Sequence, residues 1–192
     1  MKIDLNGKWS LSSAKYADLE ATVPGSVLST LLAHKLIEDP FYRDNEEKMR
    51  QCLKENYSFA RNFRLTESQL KKHNYLFMDG VDTIAKVYIN GNLIAELFDM
   101  HTRKRILLDN SILREENEIR IDFSNVYDYI ENYPGKETFQ TFAVTHPNGP
   151  VIRKSHHMLG WDWGPDLADM GIYRDIYIFS TDLGYLDSFR HE

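Results

Sequence analysis

Cysteine is almost missing from this sequence: its 192 residues include one, Cys52. A disulfide within the chain is therefore excluded. At this length folding removes about 70% of the surface that the unfolded chain exposes, so a core can form without covalent staples. Long apolar runs are also missing, and none approaches the roughly 20 residues of a membrane-crossing helix. There is no charged-then-apolar leader at the N-terminus. With a lone thiol, these absences set the expectation of a soluble, cytoplasmic protein with no membrane partner. Positive charge is in short supply as well: 23 basic residues face 29 acidic ones, for a net charge of -6. A phosphate backbone is bound by concentrated positive charge, so nucleic acid is not an expected partner. No internal repeat or low-complexity segment interrupts the chain, and one large domain is the expected organisation.

What the sequence does have is aromatic and β-forming. Aromatic residues make up 12%, with 3 Trp, 11 Tyr and 10 Phe, and such side chains suit pleated, half-buried surfaces. Leu5, Trp9 and Leu11 alternate with polar neighbours after a turn at Asn6-Gly7, which is the period-2 pattern of a strand. Period 2 returns at Tyr57, Phe59 and Phe63, at Tyr75, Phe77 and Met78, and at IAKVYI. Asn90-Gly91 then separates IAKVYI from LIAEL, and because both residues tolerate positive φ, the pair predicts a tight hairpin. Further strands are expected at RKRILL and EIRIDF, divided by a capped turn from Asp109 to Leu113, and at GIYRDIYIFS with Ile172, Ile176 and Ile178 on one face.

Helices are few and short. Val27, Leu28, Leu31 and Leu32 have helical spacing behind Ser26, a suitable N-cap, and predict a short helix on the core. NEEKMRQCLKEN predicts a second, with Met49, Cys52 and Leu53 inward and Cys52 a core thiol. Many strands, helices confined to connections and no βαβ alternation imply an all-β fold, a jelly-roll sandwich of two antiparallel sheets. Ser124 to Gly160 breaks this pattern with Pro134-Gly135, Pro147 and Asn148-Gly149-Pro150, and irregular, disordered chain is expected there. The end, from 181 to 192, reads as a linker whose Tyr185, Leu186 and Phe189 have no partner.

The densest polar-aromatic cluster is Trp161-Asp162-Trp163-Gly164-Pro165-Asp166. Indole rings stack on the CH faces of sugars and carboxylates accept from their hydroxyls, so the cluster suits a sugar pocket. A tryptophan that plugs the sandwich core is the competing reading. If residues 161 to 163 are extended, both indoles point one way and Asp162 the other. His146, His156 and His157 precede the cluster, but adjacent histidines rarely aim at one ion and no tight ligand spacing is present, so no metal and no cofactor are expected. Asp162 and Asp166 could be imagined as the carboxyl pair of a glycosidase, although loop aspartates capping turns are the simpler account.

LNGKWSL, VPGSVLSTLL, NYSFARNF, GVDTIAKVYINGNLIAEL and IRKSHHMLGWDWGPDLADMGIYRDIYI, in this order, resemble the N-terminal domain of family-two glycoside hydrolases over about the first 180 residues. GWDWGP followed by GIYR resembles the β-mannosidase branch. Asp166 departs from the family pattern, in which a basic residue often follows the proline. The resemblance implies a galactose-binding-like jelly roll over 1–180, with 181–192 leading towards an immunoglobulin-like domain and a (β/α)8 barrel that holds both catalytic glutamates. It implies a β-mannoside substrate, no catalytic residue here, substrate contacts from Trp161 and Asp162, and a loop shaped by Trp163, Gly164 and Pro165 and anchored by an ion pair of Arg174. A free-standing carbohydrate-binding module is the alternative, and a sandwich serving subunit contact is a third reading.

Overall fold

The structure, a computed structural model, describes residues 1–138 and 146–186. In chain order it runs through β1 (Lys2–Asp4), β2 (Gly7–Ser13), β3 (Leu19–Val23), β4 (Gly25–Ser26), α1 (Val27–Ala33) and α2 (Asn45–Cys52). It continues through β5 (Tyr57–Arg64), β6 (His73–Met78), β7 (Val81–Asp82), β8 (Ile84–Ile89), β9 (Asn92–Phe98), β10 (Lys104–Leu108) and β11 (Glu116–Phe123). The last elements are α3 (Val126–Asn132), β12 (Leu159–Trp161), β13 (Gly164–Asp166), β14 (Gly171–Ile172) and β15 (Ile176–Thr181).

Strand alternation builds two facing sheets. One has the order β1-β15-β6-β10 and the other β3-β2-β5-β11-β8-β9, and their ladders are antiparallel. In β11, Ile119, Ile121 and Phe123 point inward and are almost fully buried. Leu11 and Phe59 flank them from the same sheet, while Leu76, Met78, Ile176 and Ile178 meet them from the other. Each such side chain contributes about 1.5–3 kcal/mol by leaving water, and Phe59 meets Phe123 edge to face at 5.6 Å. Trp9 joins this core because its indole N–H donates to the Leu5 carbonyl at 2.8 Å, so no polar group is stranded. This is the all-β sandwich that the strand pattern implies.

Local signals are equally well realised. Asn90 and Gly91 both have positive φ, 50° and 79°, and join β8 to β9 as the tight hairpin expected. Ser26 caps α1 reciprocally: its hydroxyl accepts from Ser29 N, and Ser29 Oγ accepts from Ser26 N.

Four expectations need correction. Leu32 is 44% exposed, because α1 turns Val27, Leu28 and Leu31 to the core and leaves Leu32 at its border. The single strand expected over GIYRDIYIFS is two, since Tyr173 to Asp175 carry the chain from β14 in a small sheet to β15 in the four-stranded one. The excursion after Ser124 is not irregular throughout. Asn125 accepts from Asp128 N at 2.8 Å and starts α3, which buries Val126, Tyr127 and Ile130; residues 139–145 of that excursion lie outside the described residues. Tyr185 does have partners: its ring lies 5.3 Å from Phe77 and 5.8 Å from Phe179 on the outer face of the four-stranded sheet. The expectation for Phe189 lies outside the described residues.

The small sheet β4-β14-β7 joins the start of α1 to the segment that leaves the Trp-Asp-Trp region. Its strands touch so closely that a Cβ at Gly171 would overlap the Gly25 carbonyl oxygen and the Ser26 backbone. Neither is a side chain that could swing aside. Gly171→Ala is expected to lower stability by roughly 3 kcal/mol with an unchanged slope in urea denaturation. Wild-type stability for that variant would show that the two backbones separate freely.

Candidate functional site

The Trp-Asp-Trp segment forms a hairpin. Leu159 pairs with Asp166 and Trp161 with Gly164, which leaves Asp162 and Trp163 as the turn. Gly160 supplies a φ of +83° ahead of the turn. A turn replaces the extended geometry that would have aimed both indoles one way, and it brings the rings together with centroids 5.1 Å apart and planes 48° from parallel. Trp163 is 75% exposed and Asp162 is exposed, while Trp161 is half-buried at the root of the pair. The competing reading, a tryptophan plug in the core, is met by Trp9 instead. Asp162 makes no hydrogen bond or ion pair among the described residues, so both carboxylate oxygens face solvent.

Beneath the tip lies a polar cluster that sequence reasoning missed. Asp166, at the foot of β13, is 1% exposed. Its Oδ2 accepts from Arg50 Nη1 at 2.9 Å and from His146 Nε2 at 2.7 Å, and its Oδ1 accepts from the Tyr127 hydroxyl at 3.1 Å. The Asp166 N–H donates to Glu46 Oε1 at 3.0 Å, and Tyr127 Oη accepts from Ala168 N at 3.1 Å. Arg50 also pairs with Glu47. The hairpin is thus held by α2 through Glu46 and Arg50, by α3 through Tyr127, and by His146. Asp166 and His146 stand near each other in the sequence, and Glu46 and Arg50, four apart on a helix, share a face, but nothing local joins the two pairs. Asp166 is 116 residues away from Arg50.

Electrostatics decide which form is held. Burial pushes the Asp166 carboxyl up, but hydrogen bonds from His146, Arg50 and Tyr127 outweigh it and keep the group below the ordinary carboxylate range. Burial raises the Tyr127 phenol, which therefore stays a donor. An enclosed, ionised Asp166 cannot serve as a proton donor to a substrate. With Asp162 outside and Asp166 inside, the two do not flank a common bond.

A second buried cluster closes the neck of the segment. Lys154 is 2% exposed, and its ammonium donates to Asp82 Oδ2 at 2.5 Å and to the Asp169 carbonyl at 2.6 Å. Burial pushes the lysine pKa down, and the Asp82 carboxylate opposes that shift. The Lys154–Asp169 bond ties residues fifteen apart, so everything from His156 to Ala168 is a loop clamped at its base. Asp169 in turn accepts from Leu28 N and Met170 N.

The remaining expected residues divide clearly. Gly164 allows close passage of the strand, since a Cβ there would lie 3.1 Å from the His157 carbonyl oxygen, and Pro165 continues β13. No ion pair of Arg174 anchors the loop among the described residues. Arg174 is exposed and lies 5.5 Å from the Tyr173 ring; Lys154 and Arg50 take the anchoring role because they are buried against carboxylates. His156 and His157 are exposed and His146 is engaged by Asp166. Among the described residues no three His, Cys, Asp or Glu side chains form a metal-sized group.

Residues 9–174 match the family described as glycosyl hydrolase 2 galactose-binding domain-like. A β-mannosidase of Rattus norvegicus is 31% identical over 196 residues, covering 95% of this chain and 22% of the relative. A probable β-mannosidase of Caenorhabditis elegans is 29% identical, covering 92% and 21%. Among solved structures, a β-D-mannosidase from Dictyoglomus thermophilum superposes with a TM-score of 0.85 at 28% identity, over 95% of this chain and 23% of that one. The exo-chitosanase CsxA of Amycolatopsis orientalis, at 16% identity and a TM-score of 0.62, shares the fold. The chain spans about a fifth of the length of these relatives.

The Asp166 cluster carries a pH signature. Because the folded pKa is depressed, its stabilisation is present above the unfolded value of about 3.9 and is lost as pH falls through the folded one. Asp166→Asn is expected to cost about 3 kcal/mol at pH 7, by leaving Arg50 short of a partner, and to flatten the loss of stability below about pH 4. Urea titrations from pH 7 to pH 2 read both effects, and parallel profiles for the two proteins would contradict the assignment.

Proposed function

The chain belongs to the glycosyl hydrolase 2 family through its galactose-binding-like domain, and from that membership we propose that it is the sugar-contacting N-terminal part of a β-mannosidase-type hydrolase. The parent would cleave terminal, non-reducing β-D-mannose with retention, using two carboxyl groups on a following barrel domain and an immunoglobulin-like domain between, with residues 181–192 leading out of the sandwich. The observation that supports this most directly is the tip itself. Two touching indoles and an unengaged carboxylate stand on a hairpin whose foot is fixed by buried charges.

In this reading Asp162 accepts hydrogen bonds from hydroxyls of the terminal sugar and Trp161 walls the ring, while Trp163 offers the larger free face. Glycosidic hydrolysis needs an acid and a base at a set separation across the scissile bond, and among the described residues Asp162 and Asp166 do not form such a pair. The domain's contribution is positioning: a hexose clamped against a rigid tip is presented to carboxyls supplied elsewhere. A cytoplasmic location remains part of the proposal, as do the β-mannoside substrate and the companion domains. The alternative of a free-standing carbohydrate-binding module rests on the same tip but requires the 192-residue chain to bind mannosides by itself. One open wall makes that affinity weak.

The purified chain is expected to release no aryl alcohol from an aryl β-mannoside. In the parent enzyme, Asp162→Ala is expected to lower kcat/KM roughly 100-fold, the equivalent of about 3 kcal/mol for two hydrogen bonds to a charged group, while leaving the melting temperature unchanged because the side chain is exposed. Turnover by the 192-residue chain, or an unimpaired Asp162→Ala parent, would refute the reading. Millimolar or tighter mannoside binding by the short chain, read by calorimetry, would favour the module.

A further inference from the structure

On the side of the hairpin away from the Asp166 cluster there is a cleft of about 500 Å³ between α1, the turn before α2, and β13. Leu28, Leu32, Pro40, Phe41, Met158 and Pro165 line it. Its position follows from strand alternation: Leu159 and Asp166 face the interior as a pair, so Pro165, one residue along, faces the opposite way into the cleft. The surface is unusually apolar for one open to water. Phe41 is 77% exposed and Leu32 44%, and contiguous apolar surface of this kind marks a contact site.

Of the polar side chains at its edge, Ser29, Asp39 and Asp169 are engaged in hydrogen bonds, and His157 is the one without a partner among the described residues. Asp39 accepts from the Phe41 N–H at 2.9 Å, and Asp169 accepts from Leu28 N and Met170 N. A free hexose entering here would lose hydration at its hydroxyls and find few acceptors in return. An apolar side chain or turn of polypeptide has no such cost.

We infer that this cleft receives an apolar segment of the polypeptide that follows the domain in its parent chain. The inference rests on the proposal that the domain is one part of a longer hydrolase. Two observations select this occupant. The matched relatives have over three quarters of their length outside the region that this chain covers, so a large covering body belongs to the same chain. The cleft wall is also the hairpin itself: Met158 precedes β12 and Pro165 lies in β13. A body reached by the tip at Asp162 and Trp163 therefore abuts the cleft. The hairpin is then gripped from both sides, by buried charge within the sandwich and by apolar contact outside it, and the indole tip is fixed relative to the body that supplies the reacting carboxyls.

Hydrogen exchange on the 192-residue chain and on the parent, without sugar, tests this. Residues 39–43 and 157–165 are expected to exchange at least about tenfold more slowly in the parent. Phe41→Ala is expected to abolish most of that protection and to split the parent's thermal unfolding into two transitions. It leaves the melting temperature of the short chain unchanged, because so exposed a ring contributes little to it. Leu107→Ser, at a 60% exposed site on β10, is expected to leave both readouts as in the wild type. Equal exchange in the two chains, or a Phe41→Ala parent identical to wild type, overturns the inference. So does a short chain that dimerises in ultracentrifugation and is made monomeric by Phe41→Ala, since the occupant is then a second copy. A parent that protects the cleft but leaves aryl β-mannoside intact refutes only the hydrolase reading, and one that hydrolyses it without protecting the cleft refutes only the docking.

Discussion

An ammonium group removed from water must be surrounded by oxygen, and at Lys154 that requirement organises a whole end of the molecule. Its two acceptors are the Asp82 carboxylate and the Asp169 carbonyl, and the second of these is the far end of the loop that Lys154 itself begins. Closing a loop of about fifteen residues costs entropy, and here the cost is offset inside the core, by a bond that has no competing water. The indole tip therefore projects from a closed ring and not from a flexible strap. Breaking such a buried pair by removing one partner is far more costly than never having made it, so the ring holds its shape as long as the sandwich is folded.

The Asp166 cluster adds direction to that closure. The neck at Lys154 fixes where the loop starts and ends, but not how the hairpin leans. Arg50 from α2, Tyr127 from α3 and His146 converge on a single carboxylate, and three donors from separate elements define an orientation that one could not. The short helices that interrupt the strand pattern are thus supports for the hairpin. Their own stability is modest at seven or eight residues. Packing of Met49, Leu53, Val126 and Ile130 into the core holds them in place, so the apolar interior ultimately positions the polar clamp.

This division explains what could be read from the residues alone. Alternation at Ile119, Ile121 and Phe123, the positive-φ pair Asn90-Gly91 and the cap at Ser26 are local devices, each decided within a few residues, and each appears in the structure. The sandwich followed from them. Leu32 and Tyr185 were misplaced because burial is set by what packs against a residue, and their neighbours come from distant segments. The same holds more strongly at the site. Trp161, Asp162 and Trp163 stood out by composition, yet their mutual geometry depended on a turn and not on an extended strand. Arg50 shares a helix face with Glu46 and His146 precedes the Trp-Asp-Trp cluster, but nothing local points either of them, or Tyr127, at Asp166. That carboxylate gathers them across 116, 20 and 39 residues, and no sequence periodicity encodes such a meeting. Arg174 looked like the anchor because it is charged and nearby, whereas depth in the fold decides which cations anchor.

The three tryptophans fall into two optical environments. Trp9 sits in the core with its indole N–H bonded to a carbonyl, while Trp161 and Trp163 lie ring against ring at the tip, one of them in water. Two indoles at 5.1 Å couple their strong electronic transitions, and a coupled pair produces a far-ultraviolet dichroism couplet that an isolated ring lacks. Emission from the core indole lies to the blue of that from the wet one. The domain thus contains two spectrally distinct reporters at opposite depths, and light alone distinguishes loosening of its interior from movement at its rim.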